Sequence, residues 1–194
     1  MLNKDKIRAI TTSAVLSGLS LAMVVLLHTS VFAAAPFLEY DPADVPILIG
    51  GMTLGPIWGL AITLVVSAVQ ALTVSAQSGL YGFLMHMIAS GTLVLTFTLV
   101  HRNLKAQGTV KIIAAVFFST VTSTTVMAGA NLLITPYFMG VSVSAVKEML
   151  LPVIIPFNLI KLGGNSVITA IIYKSLERFI KQYYNPDKKC KKLM

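Results

Sequence analysis

Charge is scarce in this chain: 11% of its 194 residues are Asp, Glu, Lys or Arg, while 56% are hydrophobic and the mean hydropathy is +0.82. A water-soluble domain is thereby excluded, because a chain of this size cannot hide so much apolar surface in one core. Cysteine is almost absent. Cys190 alone cannot form an intrachain disulfide, and its Cys-Lys-Lys-Leu-Met context does not fit a prenylation ending. No H-E-x-x-H, G-x-S-x-G or Walker A run occurs, and His28 and His86 have no second ligand at metal spacing. We therefore expect no metal, no catalytic residue, no cofactor and no ATPase machinery of the chain's own.

What is present is a series of long apolar runs without strand-like alternation. In lipid the backbone must satisfy its own hydrogen bonds, so such runs imply membrane helices rather than a barrel. The expected fold is an all-α integral membrane bundle of six transmembrane helices, at about 8–33, 45–54, 56–73, 80–101, 110–135 and 145–181. Gly55-Pro56 divides the second apolar block, Pro136 marks the end of the fifth helix, and Pro152 and Pro156 predict a break near 152–156 in the sixth. Residues 1–184 read as one membrane domain and 185–194 as a basic tail. The amino-terminal run imitates a signal peptide ending at Ala33-Ala34-Ala35, but it is longer than a signal core and reads as a retained helix.

The net charge of +8 would suggest nucleic acid on a soluble domain. Here the basic residues lie between and beyond the apolar runs, so no nucleic acid is expected, only weak attraction of the tail to anionic lipid. Lys4, Lys6 and Arg8, then Arg102, Lys105 and Lys111, then the lysines and arginine from Lys174 onward all fall on one side of a six-helix alternation. The positive-inside bias makes that side, with both termini, cytoplasmic in the cell membrane. The loops at 37–44, 75–79 and 136–146 face outside.

Lys161 stands out, since it falls inside the sixth apolar run, where an ammonium costs about 2.5–3.5 kcal/mol and must face a cavity or a partner. Asn158 lies three residues earlier on the same helical face, and Asn131 at the outer end of helix 5 can complete a polar cluster. Phe37 and Tyr40, beside Glu39, Asp41 and Asp44, offer aromatic faces next to polar groups; the acids also suit a solvated loop, with Asp44 capping helix 2. A flat apolar solute with polar edges fits the mixture. In helix 1, Ala14, Gly18 and Ala22 recur every four residues as a smooth stripe along which another helix can approach.

Several stretches, in order along the chain, resemble the riboflavin-specific branch of the substrate-binding S components of energy-coupling factor (ECF) transporters. They are Phe37-Leu-Glu-Tyr-Asp-Pro-Ala-Asp-Val-Pro46 with the Gly-Gly-Met-Thr-Leu-Gly-Pro56 that follows, Gly82-Phe-Leu-Met-His-Met-Ile-Ala-Ser-Gly91, and Pro156-Phe-Asn-Leu-Ile-Lys161. The resemblance implies a six-helix bundle that takes riboflavin from outside and works with a transmembrane coupling subunit and two cytoplasmic ATPases. It further implies that Asn131, Asn158 and Lys161 meet the flavin ring, that Tyr40 and Asp41 belong to a loop over the pocket, and that Ala14, Gly18 and Ala22 meet the coupling subunit. The family often carries alanines in that stripe, and Gly18 departs from the pattern.

Other readings stay open on sequence alone. Lys161 equally suits a carboxylate or phosphate, so a pantothenate-like vitamin or flavin mononucleotide is an alternative substrate. A membrane-embedded enzyme using Glu39, Asp41, Asp44 and His86, or a channel that needs no partner, are the competing classes.

Overall fold

A computed structural model describes residues 4–30, 35 and 38–184, with side chains up to residue 176. Phe37 and the basic tail at 185–194 lie outside the described residues. The described residues are helical almost throughout, as the unalternated apolar runs dictate. The helices are α1 (Lys4–Leu27), α2 (Asp44–Leu54), α3 (Pro56–Leu72), α4 (Gly79–Asn103) and α5 (Gly108–Met139), followed by α6 (Val143–Met149), α7 (Ile155–Asn158) and α8 (Gly164–Tyr184).

Among the described residues, four stretches are long and apolar enough to cross a membrane: α1, α4, α5 and the continuous rod from Val143 to Leu176. The 11 residues of α2 rise only about 16 Å, too short to be counted with these by length alone. Instead α2 is sunk in the bundle, with Val45, Ile47 and Leu48 buried, and it folds back on α3 at Gly55. That turn needs glycine: its φ is +111°, and a Cβ there would stand 2.7 Å from Arg102 Nη1. Gly51 and Gly59 let α2, α3 and α4 close up, since a Cβ on either would lie 2.6 Å from Val94 Cγ2. In lipid such close van der Waals packing, rather than expulsion of water, holds helices together. Around this contact Phe97, Leu93, Ile62 and Leu162 form the main core, while Val15, Val25, Leu133 and Leu151 are among many apolar side chains facing outward.

Three expectations are corrected. Helix α1 stops at Leu27 instead of continuing to about 33, because Thr29–Ser30 (β1) pairs antiparallel with Glu39–Tyr40 (β2), a small hairpin ladder in an otherwise helical fold. The His28 and Glu39 side chains meet beside it at 2.9 Å. Pro136 does not end α5. The helix runs on to Met139 and closes on Gly140, whose φ of +65° turns its N–H back to the Pro136 carbonyl.

The sixth helix is not broken near 152–156 either. It continues through two π-wound segments, Leu150–Ile154 and Leu159–Gly163, on either side of α7. The extra residue per turn widens the helix where Pro152 has no N–H to give. The second segment carries Lys161, in keeping with the habit of π-bulges to mark functional positions.

The bundle has two chemically distinct ends. At one, the end of α4, the start of α5 and α8 bring His101, Lys111 and Lys174 around a shared cleft. At the other lie the hairpin, the 73–78 turn and the end of α5.

Candidate functional site

The hairpin end opens into a cavity that is partly continuous with solvent. Its walls are mostly apolar and aromatic, from Leu38, Tyr81, Met85, Ile134, Phe138 and Phe157. Asn131 on α5, Asn158 on α7 and Lys161 on the second π segment enter the same cavity. A ligand pocket ordinarily has this make-up, apolar faces with a few placed polar groups.

Tyr40 and Asp41 do not line the cavity; they stand behind Lys161. The Lys161 Nζ donates to Asp41 Oδ2 at 2.8 Å and to the Glu39 carbonyl at 2.9 Å. Burial would raise the Asp41 carboxyl, which is fully enclosed. The Lys161 charge opposes this, and with the His86 ring and the hydrogen bonds from Lys161 and the Ala43 N–H it holds the pKa down to about 2. The 39–41 loop is thereby pinned to the π-wound turn, with one ammonium proton of Lys161 left over.

The polar core extends beyond what sequence reasoning found. Asn165, four residues after Lys161, donates to the Asp41 carbonyl at 3.0 Å and to Asp44 Oδ2 at 2.9 Å, and accepts from the Tyr40 hydroxyl at 3.2 Å. Asp44 caps no helix: it opens α2 fully buried, accepting from Asn165 and from the Ser90 hydroxyl. His86 lines the cavity with Nδ1 2.7 Å from Ser67 Oγ. Asn165 carried a usable signal, an amide inside an apolar run on the Lys161 face, whereas Ser90 carried none.

The two cavity asparagines are half committed. Asn158 gives one N–H to the Ile154 carbonyl, and Asn131 gives one to Met127 and accepts from Thr135, each at 2.8 Å. These bonds fix the rotamers and leave amide donors and acceptors for a solute. Among the described residues no group of three or more His, Cys, Asp or Glu is placed to hold a metal.

On α1 the buried face is serine-rich, Ser13, Ser17 and Ser20 included, with Ser20 donating to the Ala43 carbonyl at 3.0 Å. Ala14, Gly18 and Ala22 lie on the exposed face, and a Cβ on Gly18 would meet nothing within 4 Å.

The family of ECF transporter substrate-specific components matches residues 8–173. The chain belongs to this family. Among its relatives is the riboflavin transporter RibU of Staphylococcus aureus (strain TCH60), 25% identical over 93% of this chain and 96% of that protein. The riboflavin transporter FmnP of Bacillus subtilis (strain 168) is 27% identical over 91% and 96%. The fold superimposes on a solved S component of a bacterial ECF transporter with a TM-score of 0.76 and 25% identity, covering 90% of this chain and 98% of that one. As an S component the chain is a multi-pass membrane transport protein and not an enzyme, which removes the reading that set Glu39, Asp41, Asp44 and His86 to catalysis.

Proposed function

We propose that this S component binds riboflavin with high affinity in the cavity between α4, α5 and the π-wound helix, taking it from outside the cell. The observation that carries the reading is the convergence of Asn131, Asn158 and Lys161 on one cavity whose other walls are apolar and aromatic. Amides and an ammonium suit the carbonyls and ring nitrogens at the flavin's edge, and Tyr81, Phe138 and Phe157 suit its faces. Tyr40 and Asp41 serve the site indirectly, by holding the loop and Lys161 in place. The names of both relatives support riboflavin.

Electrostatics favour a neutral vitamin over the anionic alternatives. Lys161 already has a full counter-charge in Asp41 at 2.8 Å, so it offers no net positive charge to a carboxylate or phosphate. The positive-inside bias puts the His101–Lys111–Lys174 end and both termini in the cytoplasm, with the 185–194 tail, and turns the cavity outward. Translocation then requires a membrane coupling subunit, seated on the exposed Ala14–Gly18–Ala22 stripe, and two cytoplasmic ATPases, since the chain has no nucleotide motif of its own.

Titration of riboflavin with the detergent-purified protein tests the reading. Saturable quenching of flavin fluorescence with a Kd below about 1 μM, more than about 8 kcal/mol of binding, is expected. Quenching no greater than with empty detergent micelles overturns it.

A further inference from the structure

One polar side chain in the cavity has no task in the site described so far. Gln70, near the end of α3, lines the cavity at 6% exposure, and its Oε1 is buried without a hydrogen-bond partner. Its backbone is firmly held, because the Gln70 carbonyl accepts from Thr73 N at 3.2 Å and Ser75 N at 3.0 Å. The nearby hydroxyls are engaged elsewhere: Ser75 Oγ donates to Glu39 Oε2 at 2.9 Å, and Ser67 Oγ is paired with His86. A buried amide oxygen left unpaired is costly.

Position then says which part of a solute Gln70 meets. Helix α3 packs on α1, α2 and α4, whereas Asn131 stands on α5 and Asn158 and Lys161 on the π-wound helix. Gln70 is therefore on a different wall from the amide and lysine edge, with α4 between. We infer that Gln70 is a ligand-contacting, specificity-determining residue whose Oε1 accepts a hydrogen bond from a hydroxyl on the solute's flexible polyol chain, while Asn131, Asn158 and Lys161 hold its ring. This rests on the riboflavin reading above. The ring's polar edge is already matched by the two asparagines and the lysine, and the ribityl chain is the remaining part of riboflavin rich in neutral donors. A neutral amide acceptor selects such donors over anionic groups, which have no proton to give.

The test compares riboflavin with lumiflavin, the same ring with a methyl group in place of the ribityl chain, on the detergent-purified full chain. Gln70→Leu is expected to weaken riboflavin about tenfold, the loss of one buried hydrogen bond, and to leave lumiflavin affinity unchanged. Gln70→Met, which keeps the length of the side chain, is expected to do the same. Asn158→Ala, the ring control, is expected to weaken both ligands. Unchanged riboflavin affinity in both Gln70 variants, or an equal loss for both flavins, overturns the inference while leaving the riboflavin reading standing. A wild-type protein that binds neither flavin overturns both.

Discussion

Lys161 Nζ and Asp41 Oδ2 meet at 2.8 Å although 120 positions separate them in the chain. This contact closes the hairpin loop onto the last membrane rod and sets the charge of the cavity wall, so the loop and the cavity form one structure. Breaking the pair from one side leaves a buried charge uncompensated, at a cost of about 3–5 kcal/mol, whereas removing both charges is far milder. Lys161→Met is thus expected to lower the thermal unfolding midpoint in detergent sharply, and Asp41→Asn added to it to restore most of the loss. Additive losses in the double variant would show that the two residues do not act as a pair.

The same ion pair fixes a pH dependence. Asp41 titrates at about 2 when folded against 3.8 ordinarily. A depressed carboxyl pKa stabilises fully above the ordinary value, and that contribution disappears as pH falls through the folded one. The stability gap between wild type and Asp41→Asn should hold constant from neutral pH down to about 4 and narrow only below that. A gap that closes between pH 7 and 5 would contradict the assignment.

Asn158→Ala and Asn131→Ala each remove a preoriented amide from the cavity and should weaken riboflavin by roughly 1–3 kcal/mol. Fluorescence titration measures this directly. Full affinity in both variants would take the asparagines out of the site.

How much of this was legible beforehand differs residue by residue. Lys161 announced itself, because an ammonium in an apolar run is too costly to be idle, and Asn158 followed from its spacing. The acids at 39–44 were ambiguous, because a loop of aspartates looks the same whether solvated or enclosed; only the fold shows Asp41 and Asp44 fully buried. The prolines misled for a physical reason, since removal of a donor permits a π turn as readily as a break, and local sequence does not decide between them. Gln70 was visible as a lone amide in the apolar α3 pattern, but its orphaned acceptor emerges only when the walls are assembled.

The exposed α1 stripe makes a prediction separable from ligand binding. Gly18→Leu, with free space around it, should leave riboflavin affinity and unfolding temperature within error of wild type. Copurification with the coupling subunit should be lost, because a bulky side chain keeps a neighbouring helix away. Retained assembly would place the docking surface elsewhere.

A neutralised Lys161 also predicts that pantothenate, an anion, does not compete with bound riboflavin even in large excess. Competition at concentrations comparable to riboflavin's own Kd would show that the site carries usable positive charge.

The most direct test of the central claim is a structure of the protein determined with riboflavin bound. The isoalloxazine ring is expected in the cavity, its polar edge within hydrogen-bonding distance of Asn158 and Lys161, with the Lys161–Asp41 pair intact behind it. A ring bound elsewhere, with this cavity unchanged, would contradict it.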